Sequence, residues 1–533
     1  MNNKIFASKD KLRGWFYTPD KIAQFILKWA FNGASKNVNI LEPSCWDWVF
    51  IKNTKEFNYD FKKFKAIEYD KWEYLKAKGI WLNKLDIIND DFHKYCNTTS
   101  EKFDIIVWNP PYIRYQYFDR EQQNEAEKIF KKYDLKYSKL SNAWVSFIIW
   151  SISLLKENWK IWLVIPVELL QVSYAKILRI FLWEKINKIN IISFKKLVFP
   201  DIQQEVVLLL LENNDSKKHL IDHIEVNDEN DLEKLDINMS PKKNINFKND
   251  KWTYYFLEQK EIDLINKVKQ KHNIPKISDY CKIEVWITTG ANDFFTIDNE
   301  TMEKYNLEKY SELLVSKGFN ISWIDFTKKI WKNNLKLCKK SYLLNFPQLE
   351  EIKDKKVLSY IKLWEDNEIN KWYKCWIREQ WQIIPSMNIS NMFFTRRSHV
   401  FPRLIDNSSK SYTTDTMHRI NIIKDIDKQS FIASYYNSLS LMFAELSWRS
   451  HWWGVLELMP SETWNILIPY NEKNNELFEF INEELKKKTD IKDIIKKTDE
   501  IVLKKNYWFT DKEISLLNWI WKKLVSRRLG RKV

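Results

Sequence analysis

Glycine is nearly missing from this chain: average usage gives roughly 37 in a sequence of this length, and there are 7 among 533 residues. Cysteine and histidine are sparse and unpaired. The five cysteines, at 45, 96, 281, 338 and 375, form no CxxC pair, and the seven histidines show no HExxH spacing. This argues against a zinc site or a disulfide framework, so no metal is expected. Long hydrophobic runs are absent too. The opening MNNKIFASKDKLRG has no apolar signal core, and the longest apolar run, Trp144 to Leu155, is too short to cross a bilayer. The expectation is a reduced, cytoplasmic, soluble protein with no membrane partner.

Where glycine is lacking, tryptophan is in excess. There are 27 Trp, and with the glycines they number 34, close to the expectation for glycine alone. Several sit where glycine chemistry belongs: Asn158-Trp159 ends a helix-like run, Cys45-Trp46-Asp47-Trp48 follows a strand, and Trp452-Trp453-Gly454 interrupts a loop. A genome that decodes UGA as glycine, read with UGA as tryptophan, produces this pattern. The other reading is a truly Trp-rich protein with unusual packing.

Lys plus Arg number 86 against 71 Asp plus Glu, a net charge of +15 and a pI near 9.1. That balance suits a polyanionic partner such as nucleic acid, although AT-rich genomes also inflate Lys, Asn and Ile. The length calls for two large units. From residue 38, short apolar strands alternate with amphipathic helices, the rhythm of a parallel α/β sheet. Val38–Leu41, Phe64–Ile67, Ile105–Val107, Ile161–Ile165 and Val206–Leu211 read as strands, with Asn142–Lys156 as the helix before the fourth. A doubly wound domain over 1–215 is expected. A connecting region over 216–250, a mixed recognition domain over 251–470 and a basic helical region over 471–533 follow it.

The strongest local signal is Asp104-Ile-Ile-Val-Trp-Asn109-Pro110-Pro111-Tyr112, an apolar strand running into Asn-Pro-Pro-Tyr. Ligand sites of open α/β sheets lie at the carboxyl ends of strands. An aromatic amine such as adenine's is a poor nucleophile because its lone pair is delocalised. Acceptors at Asn109 and the Pro110 carbonyl would draw the nitrogen towards tetrahedral geometry. Pro111 would stiffen the loop, and Tyr112 would offer a ring face. The second signal is Ile40-Leu41-Glu42-Pro43-Ser44-Cys45-Trp46-Asp47-Trp48. With glycine at 46 and 48 this is a turn that lets a cofactor approach the backbone, whereas two indoles would fill that space. Glu68, ending the second strand, is placed for ribose hydroxyls, and Asp86 for a cofactor's adenine amine.

These motifs resemble the TaqI-type, gamma-ordered adenine-N6 DNA methyltransferases of restriction–modification systems. Arg13-Gly14-Trp15-Phe16-Tyr17-Thr18-Pro19 is similar to their leading cofactor motif, Glu42–Trp48 to their methionine-binding loop, and Asn109–Tyr112 to their catalytic loop. Phe199-Pro200 resembles the segment whose aromatic packs on a flipped base. Val285–Phe295, Arg378-Glu-Gln-Trp381 and His451–Leu458 resemble recognition-domain segments.

The resemblance implies a Rossmann-like S-adenosylmethionine-dependent domain followed by an α+β target-recognition domain. It implies cofactor contacts from Tyr17, Thr18, Pro19, Glu42, Pro43, Ser44, Cys45, Trp46, Asp47, Trp48, Glu68, Asp86 and Asn109, and base stacking by Tyr112 and Phe199. The expected partner is double-stranded DNA, methylated by a monomer, with a separate cognate restriction endonuclease as a further partner. Arg396, Arg397, Arg403 and Arg449 are the candidates for DNA contact. Competing readings are an RNA adenine methyltransferase, a protein glutamine methyltransferase, or an inactive DNA-binding specificity protein if Trp46 and Trp48 are real.

Overall fold

The structure, a computed structural model, describes residues 17–34, 37–137, 141–172, 174–199, 205–213, 219–237, 243, 245, 251–284, 287–318, 321, 323–385, 387–447, 449–450 and 454–530. The segments Arg13–Phe16 and His451–Trp453, together with Pro200, Trp286 and Trp448, lie outside the described residues. The chain divides into two compact units: one holds residues 1–262 with 449–454 and 527–533, the other residues 263–448 and 455–526.

The first unit is built on an eight-stranded sheet. Its strands are β1 (Asn39–Glu42), β2 (Lys63–Glu68), β3 (Leu85–Asn89), β4 (Phe103–Trp108), β5 (Leu155–Pro166), β6 (Lys188–Phe194), β7 (Val206–Glu212) and β8 (Leu220–Val226), in the order β3-β2-β1-β4-β5-β7-β6-β8. Helix α1 (Asp20–Phe31) buries Ile22, Ala23, Ile26, Leu27 and Ala30, which recur at helical spacing on one face. Helices α2 (Val49–Glu56), α3 (Lys71–Lys78) and α4 (Phe92–Thr98) follow the first three strands. Asp70 caps α3 and Asp91 caps α4 by accepting from backbone N–H groups.

Strands β1 to β5 pair in parallel, as expected, but β7 runs antiparallel between β5 and β6. The sheet is therefore mixed. A fully buried apolar run reads the same in either direction, so its orientation was not visible in the sequence. The helix expected over Asn142–Lys156 spans Ala143–Ser153, and β5 starts at Leu155. The strand thus runs through Asn158-Trp159, where a turn was expected. Ile221–Val226, read as part of a connecting region, belongs to β8, which pairs in parallel with β6.

The second unit contains two four-stranded sheets. One joins Thr296–Ile297, Tyr342–Leu344, Ser311–Val315 and Tyr412–Thr413; the other joins Leu404–Asp406, Met392–Thr395, Met417–Ile422 and Cys281–Glu284. Helices surround them, and Phe294, Phe295, Leu343, Leu344 and Val357 form a core with no solvent exposure.

Strand β7 reads Val-Val-Leu-Leu-Leu-Leu-Glu, with all but the last residue buried. Leu209 pairs with Leu163 on one side and Ile191 on the other. Truncating Leu209 to Ala should destabilise the first unit by about 2–5 kcal/mol, read as a lower urea midpoint with an unchanged m-value.

Candidate active site

The strand order reverses direction about β1: β2 and β3 lie to one side, β4 and β5 to the other. The carboxyl ends of β1 and β4 flank that switch point, where such sheets bind ligands. From β1 the chain leaves through Glu42 into the turn Pro43–Trp48, and from β4 into Asn109–Tyr112. A cavity of about 210 Å³ lies here, lined among others by Pro43, Ser44, Glu68, Asp90, Asp91 and Pro111. A larger cavity of about 1010 Å³ on α1, lined by Lys21, Trp29, Tyr59 and Glu229, shares no residue with these strand ends.

Three carboxylates are buried at the site. Glu42 is 0% exposed, and burial, reinforced by Asp47 and Glu68, holds its pKa well above the usual range. Burial raises Glu68 to about 8, although the Asp70 N–H donates to it at 2.7 Å. Asp47 rises to about 6, again through burial, against N–H donors from Thr18 at 2.8 Å and Val49 at 3.4 Å. The turn is closed by Trp48 N–H to Cys45 C=O at 2.8 Å and pinned to β2 by Cys45 N–H to Ile67 C=O at 3.1 Å. Trp46 is buried, with its ring 4.5 Å from that of the exposed Tyr17. Trp48 caps α2 with φ +43°, in the left-handed region. Pro19 precedes α1, and its carbonyl accepts from Ile22 and Ala23.

Asp86 is not brought to this site. It is the second residue of β3, in register with Lys65, and its carboxylate is bonded to Lys65 at 2.8 Å and lies 3.1 Å from Lys63. Burial opposes its ionisation, but these two ammonium groups outweigh it and lower its pKa. The acids at the carboxyl end of β3 are Asp90 and Asp91, which sequence reasoning missed. The signal was Asn-Asp-Asp-Phe, two acids after a strand and before a helix. Asp91 accepts from Lys94 N–H and Gln122, and Phe92, Tyr117, Phe118 and Phe147 complete the apolar lining.

Asn109 is 6% exposed and donates from Nδ2 to Thr18 Oγ1 at 3.1 Å. Pro110 and Pro111 are buried beside it. The Tyr112 hydroxyl donates to the Val164 carbonyl at 3.0 Å, and its ring packs on the same apolar cluster that encloses Phe199, itself 2% exposed. The Phe199 ring is buried, whereas Tyr112 remains partly exposed. The stacking role expected of Phe199 would need its ring to leave this cover.

In the second unit the basic candidates differ from one another. Arg403 is internal: its guanidinium donates to the carbonyls of Ile321 and of Gly318, the latter at 2.8 Å. Arg396 is mostly buried and pairs with Glu457 at 3.0 Å, while Arg397, on the same carboxylate, has a side chain 52% exposed. Arg449 opens a two-residue strand, and its side chain lies outside the described residues. Arg378 donates to the carbonyls of Thr288 and Thr289, both at 2.7 Å, so two of the segments singled out in the sequence meet.

The buried acids give a signed pH dependence. For Asp47 and Glu68 the folded pKa lies above the unfolded one, so their contribution to stability is present at low pH and lost as pH rises through the folded values. The thermal midpoint of the ligand-free protein should fall between about pH 5 and about pH 8. Glu68→Gln should flatten that fall, as calorimetry across the range will show.

Comparison with known proteins accords with this geometry. Residues 20–199 match the family model "Eco57I restriction-modification methylase", and residues 249–503 match "Type II methyltransferase M.Eco57I, C-terminal domain". Type II methyltransferase M.AccI of Acinetobacter calcoaceticus is 25% identical over 474 residues, 84% of this chain and 83% of that protein. A tRNA1(Val) (adenine(37)-N6)-methyltransferase of Haemophilus influenzae (strain PittGG) is 29% identical over 111 residues, 20% of this chain and 44% of that protein. The solved ATP-dependent Type ISP restriction-modification enzyme LlaBIII, bound to DNA, shares the fold with a TM-score of 0.52 at 11% identity, covering 88% of this chain and 40% of that chain. The chain thus spans less than half of the last two. The two family models and the M.AccI likeness support a restriction–modification methyltransferase.

Proposed function

We propose that the chain moves a methyl group from S-adenosylmethionine to the exocyclic N6 amine of an adenine turned out of duplex DNA, as the gamma-ordered, TaqI-like modification enzyme of a restriction–modification system. The observation that carries the reading is Asn109 at the carboxyl end of β4, beside the turn that leaves β1. In this reading the first unit, with all eight strands of its sheet, carries the methyltransferase domain, and the second unit carries the recognition domain. The enzyme acts as a monomer, with a separate nuclease as its counterpart.

The residues at the strand ends fit the cofactor. Glu42 and Glu68 are buried carboxylates whose raised pKa reflects a lack of compensating charge, so a cationic or hydroxyl-bearing ligand relieves them. Glu68 would hold ribose hydroxyls, Asp90 or Asp91 the adenine amine, and the backbone of Pro43–Trp48 with Tyr17, Thr18 and Pro19 the methionine end. The cofactor supplies an electrophilic methyl group on a sulfonium. Asn109 Oδ1 and the Pro110 carbonyl accept the target amine's hydrogens and localise its lone pair. The bond from the Tyr112 hydroxyl to the Val164 carbonyl lies in the plane of the ring and would hold the ring while a base stacks on its face, a contact worth about 1–3 kcal/mol.

In this reading the turn carries glycine at 46 and 48, and the tryptophan excess is recoded UGA. Two tryptophans, Trp48 at φ +43° and the 80% exposed Trp508 at φ +54°, occupy the left-handed region, where a bulky residue is an outlier. Among the described residues, the indole N–H groups of Trp108, Trp144, Trp150, Trp162, Trp252 and Trp521 are buried without an acceptor, each at a penalty of about 1–3 kcal/mol.

Peptide mass spectrometry of the natively translated protein across residues 38–52 should find glycine at 46 and 48. That protein should deposit N6-methyladenine in duplex DNA, and Asn109→Ala should lower the rate by about 10²–10³. Methylation of RNA or protein glutamine with none of DNA would overturn the reading, and tryptophan at both positions without transfer would leave a DNA-binding specificity protein. Among the arginines, Arg397→Ala should alter DNA binding with stability intact. A relaxed sequence preference would mark a base reader, and uniformly weaker binding a phosphate contact. Arg403→Met should instead lower the unfolding temperature.

A further inference from the structure

We propose that Gln122 is a positioning residue of the cofactor site, whose amide holds the Asp91 carboxylate as the acceptor for the exocyclic amine of the cofactor's adenine. This role rests on the reading of the strand-end cavity as the S-adenosylmethionine site. It adds a choice between Asp90 and Asp91 and the group that makes that choice.

Gln122 comes from the segment that follows the Asn109–Tyr112 loop. The chain passes a short turn at Tyr115–Tyr117 and enters helix α5 (Arg120–Lys132). That helix starts at a capping box. The Gln122 backbone N–H donates to Asp119 Oδ1 at 2.8 Å, and the Asp119 N–H donates to Gln122 Oε1 at 3.4 Å. The other end of the same amide, Nε2, donates to Asp91 Oδ2 at 3.1 Å. Both Gln122 and Asp91 line the cavity of about 210 Å³.

These bonds leave the amide one orientation. A backbone N–H only donates, and an ionised carboxylate only accepts. Gln122 therefore turns Oε1 to Asp119 and its NH₂ to Asp91, and the reversed amide would lose both bonds. Asp91 is held from its other side as well, because the Lys94 N–H donates to Oδ1 at 3.1 Å. Each oxygen is fixed by one donor and keeps a lone pair for a ligand. Burial opposes the ionisation of Asp91, but His93, with Nδ1 at 3.6 Å, and these donors outweigh it and keep its pKa below the usual range. Glu68 in the same cavity differs, since burial raises its pKa to about 8. Asp90 Oδ1 accepts from the next residue, the Asp91 N–H, at 2.9 Å. Its bond is local to the end of β3, whereas the Asp91 carboxylate is aimed by donors from two helices.

Aim and ionisation are what recognition of an adenine amine needs. The amine's lone pair is drawn into the ring, so it meets the protein as a donor. A 6-oxo group at the same place, as in hypoxanthine, meets it as an acceptor. A fixed carboxylate favours the first and repels the second. Helix α5 does not depend on the Gln122–Asp91 bond for its place: it buries Ala126, Ile129 and Phe130, and Asn97 of α4 donates to Glu125 Oε2 at 2.6 Å. A change confined to the Gln122 amide therefore acts on Asp91 and leaves the helix where it is.

The test is calorimetric titration of the full chain, carrying the residues found natively at 46 and 48, with S-adenosylhomocysteine and with its 6-oxo analogue. Wild-type protein should bind the adenine form about tenfold more tightly or better, as a hydrogen bond to a charged group implies. Gln122→Glu keeps the capping box, because a carboxylate oxygen still accepts the Asp119 N–H. It removes the donor and sets a second carboxylate against Asp91, so the pair holds a proton that it can offer to a 6-oxo group. The preference for the adenine form should fall about tenfold, with the circular dichroism of the fold unchanged.

Should Gln122→Glu fail to fold, Gln122→Met serves instead: it removes the donor without adding charge, and the preference should fall about threefold or more. An unchanged preference in a folded variant, or an equal loss of affinity for both ligands, would overturn the proposal and leave Gln122 as a helix cap. Equal binding of the two ligands by the wild-type protein would overturn it as well, with the cofactor site itself still standing. Binding of neither ligand removes the reading of the cavity, and the proposal falls with it.

Discussion

Strands β1 and β4 touch through only two register pairs, Ile40 with Ile105 and Leu41 with Ile106. All four side chains are buried, at 0–2% exposure. Everything at the candidate site depends on this short parallel contact. It is the point at which the strand order turns back, so the chain leaving β1 and the chain leaving β4 emerge side by side with no helix between them. The turn with Asp47 and the loop with Asn109 are thereby held within reach of one threonine. Beneath it the α1 face, Ile40, Ile105 and the β7 leucines Leu208 and Leu210 belong to one apolar cluster.

The polar layer above that core obeys a different rule. Glu42, Asp47 and Glu68 are withdrawn from water beside one another, and no lysine or arginine pairs with Glu42 or Asp47 among the described residues. Buried acids left in this state favour protonation and make the region electrostatically expectant. Elsewhere in the same sheet Lys63 and Lys65 neutralise Asp86 at the opposite end of β3. One end of the sheet is paired off and inert, and the other is left unbalanced.

Much of this was legible in the sequence. Asn-Pro-Pro-Tyr after Asp104–Trp108, and Glu42 after Asn39–Leu41, were readable because apolar strands buried on both faces leave an unambiguous run. Strand β3 was harder: its residues are half-buried and form no clear apolar run, so the sequence does not tell Asp86, near its start, from Asp90 and Asp91, just past its end. The reversal of β7 was invisible, since Val206–Leu211 carries no mark of direction. Arg396, Arg397 and Arg403 look alike as letters. Only tertiary contacts separate Arg403, held by the carbonyls of Ile321 and Gly318, from the exposed Arg397. Nor did the sequence disclose the contact between Thr18 and Asn109, which are 91 residues apart.

The unbalanced carboxylates have a consequence for the life of the molecule in a cell. Their burial subtracts from the free energy of folding as long as nothing compensates it, and any ligand that supplies positive charge or donors to Glu42 and Glu68 returns that free energy to the folded state. Copies without such a ligand therefore open more often and are exposed to proteolysis for longer. Filling the site is thus also a way of holding the molecule folded.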